Sequence, residues 1–112
     1  MDALSLTFSA LADPTRRAIL ARLAQGEVSV GDLAQPFKIS LPAISRHLKV
    51  LEGAQLIERR PDAQWRVCRI KPDGFRTAAD WIEFYRRFWD EGLDNLAKML
   101  EKKQPRNGRR KR

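Results

Sequence analysis

The spacing of apolar residues changes along this chain, and each change marks an element. Over residues 3–11, Leu4, Phe8 and Leu11 recur at spacings of four and three, which predicts a short helix with one apolar face. Asp13-Pro14 then starts a second helix, with Asp13 as N-cap and Pro14 at the first helical position. Ile19, Leu20 and Leu23 form its inner face, and Gly26 is placed to end it. Ser29 and Asp32 have capping-box spacing for a third helix over GDLAQPF, where Leu33 and Phe37 share a face and Pro36 keeps it short.

A tight turn at Lys38-Ile39 leads to Ser40, the N-cap of a fourth helix that tolerates Pro42 in its first turn. Leu41, Ile44, Leu48 and Leu51 fall on one stripe of this helix. The opposite face presents Pro42, Ser45, Arg46, Lys49 and Gly53, with Glu52 toward one flank. Two short helices joined by a tight turn, the second with a basic polar face, form a helix-turn-helix.

The period then shortens. LIERR (56–60) and QWRVCRI (64–70) are β-prone runs, and Pro61-Asp62-Ala63 between them predicts a hairpin turn. Arg59, Arg60, Arg66 and Arg69 line this hairpin, giving a basic wing behind the helix-turn-helix. After Pro72-Asp73-Gly74 one long helical pattern fills residues 75–103, with Trp81, Ile82, Phe84, Tyr85, Phe88, Trp89, Leu93, Leu96 and Leu100 at spacings of three and four. Five aromatics within residues 81–89 exceed what a small domain needs to cover one helix face. Part of that surface is expected to pack on a second copy of the chain, together with Leu4 and Phe8. The fold class is therefore mainly α with a small β-hairpin: five helices and a two-stranded wing.

Composition narrows the setting. At 112 residues, 43% apolar and 32% charged, the chain fits one domain, residues 1–103. No apolar run can span a bilayer, and the opening MDALSLTFSALAD lacks the basic n-region of a secretory signal, so a cytoplasmic protein is expected. The single cysteine, Cys68, allows no internal disulfide. The net charge is +8, but residues 102–112 hold seven basic groups and no acid, which leaves +1 for residues 1–101. The end of the chain, 104–112, reads as a disordered basic tail, equally suited to nonspecific nucleic-acid binding or to solubility.

His47, the only histidine, has no nucleophile facing it, since Ser45 two residues away on a helix points elsewhere. One His and one Cys, distant in sequence, do not make a metal site. The carboxylates of the last helix read as a solvated face. Neither an enzyme nor a cofactor protein is expected. By the helical wheel His47 lies about 60° from the apolar axis, a core-rim position that leaves one ring nitrogen for a phosphate.

LADPTRRAIL, the GDLA segment and SRHLKVL followed by a hydrophobic-basic strand resemble the ArsR/SmtB family of winged-helix repressors, over about residues 4–70. The resemblance implies a symmetric dimer that represses transcription, often of its own operon, with the fourth helix in the major groove of double-stranded DNA. The DNA-facing set is then Ser40, Pro42, Ala43, Ser45, Arg46, His47 and Lys49, with Arg59, Arg60, Gln64 and Arg66 from the wing. The dimer set is Leu4, Phe8, Trp81, Tyr85, Phe88, Trp89, Leu93 and Leu96. The alternative is a winged-helix protein-interaction module whose basic tail touches nucleic acid nonspecifically.

Two departures stand out. Gln55 occupies the place after the fourth helix where the family has glycine, so it must adopt a left-handed backbone or shift the break to Gly53. Where metalloid-sensing relatives carry a motif like ELCVCDL, this chain has EVSVGDL, with Ser29 and Gly31 at the cysteine positions. Residues 72–112 contain no histidine for the family's other metal site, and Cys68 reads as a small packed residue. No metal is expected, and any inducer is unknown: its own concentration, a small apolar ligand, or none.

Overall fold

The computed structural model describes residues 1–103. The basic tail expected at 104–112 lies outside the described residues. Five helices and three strands follow one another as α1 (Ala3–Leu11), α2 (Pro14–Leu23), β1 (Val28–Ser29), α3 (Val30–Ala34), α4 (Leu41–Gly53), β2 (Ile57–Asp62), β3 (Trp65–Ile70) and α5 (Pro72–Lys103). Contacts divide the chain into one unit of residues 1–79 and a second from Asp80 onward. Helix α5 belongs to the first unit through Ala79 and forms the second thereafter.

The caps at Asp13, Ser29 and Ser40 are the ones the sequence predicts, and Asp2 adds one for α1. Carboxylate oxygens of Asp2 and Asp13 accept from the backbone N–H groups of Ser5 and Arg16, at 2.7 and 3.0 Å. The Ser29 and Ser40 hydroxyls accept from Asp32 and Ala43, at 3.2 and 3.3 Å. Each satisfies an N–H that the helix cannot. In the first unit Ile19, Leu33, Ile44, Leu48, Leu51, Leu56 and Cys68 are fully buried in one cluster.

Four details differ from expectation. The sheet has three strands in the order β1-β3-β2, so the two-stranded wing is extended by Val28–Ser29, which pairs with Cys68 and Val67. The hairpin turn is tighter than Pro61-Asp62-Ala63: Asp62 pairs with Trp65, Pro61 with Arg66, and the loop is Ala63-Gln64, with Ala63 at φ 56°. Pro61 is tolerated because β2 is an edge strand. Helix α3 ends at Ala34, before Pro36. Leu41 is 61% exposed, not core. At the first position of α4 its side chain leans back past the helix start, where only the exposed turn precedes it.

The end of α4 answers the question posed by Gln55. The N–H of Leu56 donates to Leu51 O and that of Gln55 to Glu52 O, both at 3.0 Å, while Gln55 takes φ 61°. This is a Schellman closure with glutamine in the left-handed position, and Leu51 and Leu56 supply its buried apolar contact. The same corner holds the chain beyond the wing. Lys71 N–H donates to Leu56 O at 2.9 Å, Gly74 N–H to Gln55 O at 2.7 Å, and Lys71 Nζ to Gln55 Oε1 at 2.6 Å. A Cβ on Gly74 would collide with the Ala54 carbonyl and crowd that of Gln55.

Cys68 is fully buried, and burial pushes its thiol up from 9.0 to about 11. The neutral thiol is a poor nucleophile and a poor soft ligand. Because the folded value is the higher one, the contribution of the thiol to stability is full below pH 9 and is lost as pH rises through 11.

Two tests follow from this packing. Gln55→Gly should raise stability by up to about 1 kcal/mol by relieving the left-handed backbone, and Gly74→Ala should lower it by about 2 kcal/mol or more, in urea unfolding. Equal effects of both would contradict the corner geometry. From pH 9 to 11 the wild type should lose about 2–3 kcal/mol more than Cys68→Ala; parallel curves would show an ionised thiol in the fold.

Candidate nucleic-acid interface

Helix α4 packs on α1, α2 and β2. Its inner side, Ile44, Leu48 and Leu51, is fully buried, which fixes the direction of the rest. Pro42, Arg46, Lys49, Val50 and Gly53 are exposed, and Ala43, Ser45 and His47 are half-buried at the borders. Ser40 is exposed, and its hydroxyl is engaged as the N-cap. Neither Arg46 nor Lys49 makes a hydrogen bond or ion pair among the described residues, so two cations stand free on one face.

The wing arginines divide differently. Arg59 Nη2 donates to Glu52 Oε1 at 2.8 Å, with only 15% of its side chain exposed, and so ties β2 to α4. That hydrogen bond holds the Glu52 carboxyl below the usual carboxylate range, and the guanidinium is held above its ordinary value in return. Arg60 pairs with Glu27 at 2.9 Å and Arg69 with Glu58 at 3.1 Å, both near the surface, where such pairs contribute little. Arg66 is exposed and makes no hydrogen bond or ion pair among the described residues. Gln64 is exposed in the hairpin loop, beside Trp65 at 59% exposure. Sequence reasoning passed over Trp65, which shares the face of buried Val67 in strand alternation and yet is exposed at the hairpin end.

Arg16 was also passed over. Its Nε donates to Ala10 O at 2.8 Å, its Nη2 to Ser9 O at 3.1 Å, and its Nη1 to His47 Nδ1 at 3.3 Å. One side chain thus caps the carbonyl end of α1 and touches α4. Arg17 adds a bond to Leu11 O at 2.8 Å. These contacts explain the double arginine after Asp13-Pro14: two donors turned back onto the preceding helix end.

The dimer candidates lie on two elements. Leu4 is half-buried and Phe8 is 36% exposed on α1. On α5, Trp81, Tyr85, Phe88, Trp89, Leu93 and Leu96 are 37–70% exposed, and Phe84 reaches 77%. The Tyr85 ring stands edge-on to Phe84 and tilted to Trp81, both with centroids 4.9 Å apart. Among the described residues, no three His, Cys, Asp or Glu side chains gather so as to hold a metal ion.

Residues 11–60 match the family described as a helix-turn-helix domain. HTH-type transcriptional regulator Rv2034 of Mycobacterium tuberculosis is 42% identical over 94 residues, covering 84% of this chain and 85% of that protein. The crystal structure of an ArsR family transcriptional regulator superposes with a TM-score of 0.73 at 36% identity, covering 79% of this chain and 91% of the other. A homodimeric winged helix-turn-helix DNA-binding domain from Mycobacterium bovis, a possible ArsR-family regulator solved in solution, gives 0.60 at 29%, covering 84% of each. Likeness of this depth spans the helix-turn-helix and the wing alike, and the chain belongs to the ArsR/SmtB family of winged helix-turn-helix transcriptional regulators, which are DNA-binding proteins and not enzymes.

Proposed function

We propose that this regulator is a homodimeric repressor of an inverted-repeat operator, with α4 of each copy in the major groove and the wing beside it. The observation that carries this reading is the unpaired cationic face of α4. Arg46 and Lys49 are free while Arg59, Arg60 and Arg69 are spent on carboxylates. Arg46 has the fork that suits guanine O6 and N7. Pro42, Ala43 and Ser45 flank it, and Lys49 and Arg66 are suited to phosphates. Within the wing, Arg59 and Arg60 act on this reading by holding the strand in place, and Arg66 and Gln64 make the approach to DNA. A dimer seated on its operator excludes other proteins from that stretch, which is repression.

The dimer reading is supported by the aromatic face of α5, by Leu4 and Phe8, and by the homodimeric relative. Two recognition helices would sit about one DNA turn apart, roughly 34 Å. With DNA as partner the protein works in the cytoplasm, and none of its described helices is long and apolar enough to cross a membrane. Thiophilic metals are poor inducers on this reading: Ser29, at a family cysteine position, is engaged as the cap of α3, and Cys68 is a buried neutral thiol.

Arg46→Ala should cost about 1–3 kcal/mol on the operator upstream of the chain's own gene and far less on random duplex. Equal loss on both would reduce Arg46 to a phosphate contact, and a wild type that binds both alike would favour a protein-interaction module. Phe88→Glu should leave the chain folded, since Phe88 is 70% exposed, and turn a dimer into a monomer in sedimentation at micromolar concentration. A variant that stays dimeric would move the interface off α5.

A further inference from the structure

His47 is half-buried beside the exposed face of α4, 40° around the helix from Ala43 at about 100° per residue. Its Nδ1 faces Arg16 Nη1 at 3.3 Å. A guanidinium donates and never accepts. The lone pair must therefore lie on Nδ1, and the ring proton on Nε2. Nε2 makes no hydrogen bond among the described residues and is not among the fully buried unpartnered atoms. The Asp13 carboxylate interacts electrostatically with the ring, and its Oδ2 accepts from the Arg16 N–H. Arg16 itself cannot swing freely, because Nε and Nη2 are anchored on the α1 carbonyls of Ala10 and Ser9.

We infer that Arg16 is a positioning residue for DNA binding: anchored on the end of α1, it locks His47 in the Nε2–H tautomer and aims that N–H at a backbone phosphate. This rests on the DNA reading above and adds to it a residue that does not itself touch DNA. The contact is one donor to one anionic oxygen, so it carries affinity and no sequence information. It also joins α1, which contributes Leu4 and Phe8 to the proposed dimer face, to the recognition helix through a single side chain.

His47 is the only histidine, so its ring nitrogens can be observed alone in a two-bond 1H–15N spectrum of the labelled full chain without DNA. The spectrum should show Nδ1 bare and Nε2 protonated in the wild type, and a mixture of tautomers in Arg16→Ala. A proton on Nδ1 in the wild type would overturn the inference. Two substitutions separate the nitrogens without touching Arg16. His47→Gln puts an amide nitrogen near the Nε2 position and should bind DNA within about twofold of wild type, whereas His47→Asn reaches only the Nδ1 position and should bind about tenfold more weakly, on operator and random duplex alike. Equal binding by Asn and Gln variants refutes the phosphate contact, and a loss confined to the operator means that His47 reads a base instead. A wild type that binds no duplex sinks the DNA reading itself, and this shows before any variant is compared.

Discussion

The left-handed residue that closes α4 is the constraint on which the first unit turns. Once Gln55 adopts φ 61°, the backbone reverses in one step and Leu56 is delivered back against Leu51. The carbonyls of Gln55 and Leu56 then become the acceptors that hold Gly74 and Lys71. A recognition helix, a wing and the start of α5 are thus hung on one corner. Only glycine fits at position 74, because the start of α5 comes within contact of that corner's backbone. The positive φ of a non-glycine residue stores a modest strain there. It is outweighed because four backbone hydrogen bonds and a buried apolar contact all require the same bend.

Most elements were legible because their boundaries are written in short-range chemistry. Asp13-Pro14, Ser29 and Ser40 each name a helix start through a side chain that reaches only three residues ahead. What was not legible depends on partners distant in sequence. Val28–Ser29 is too short to show a period and is a strand only because β3 lies beside it. The engagement of Arg60 with Glu27, 33 residues away, cannot be read from a basic hairpin. Leu41 obeyed the apolar stripe and still faced solvent, because periodicity knows the helix axis and not where its neighbours end. Of the candidate DNA residues, those on α4 were fixed by the buried stripe opposite them. The wing arginines looked alike in sequence and were sorted only by where the acids fell.

That sorting gives the surface its character. A chain with a large excess of basic groups could present them diffusely and adhere to any polyanion. Here Glu27, Glu52 and Glu58 neutralise the arginines that brace the sheet, and Arg46, Lys49 and Arg66 keep their charge. The surface pairs of Arg60 and Arg69 add little stability at such exposure. The effect of the third pair is on shape: Glu52–Arg59 ties the wing strand β2 to α4.

The edge strand β2 carries Pro61, a residue with no N–H to offer, next to the charged Arg60 and Asp62. It is an outer strand of the sheet, so among the described residues its outer edge has no strand paired to it. An unblocked edge can pair strand to strand with another copy and grow into filaments. Proline and flanking charges on the outer strand make the wing a poor template for such growth.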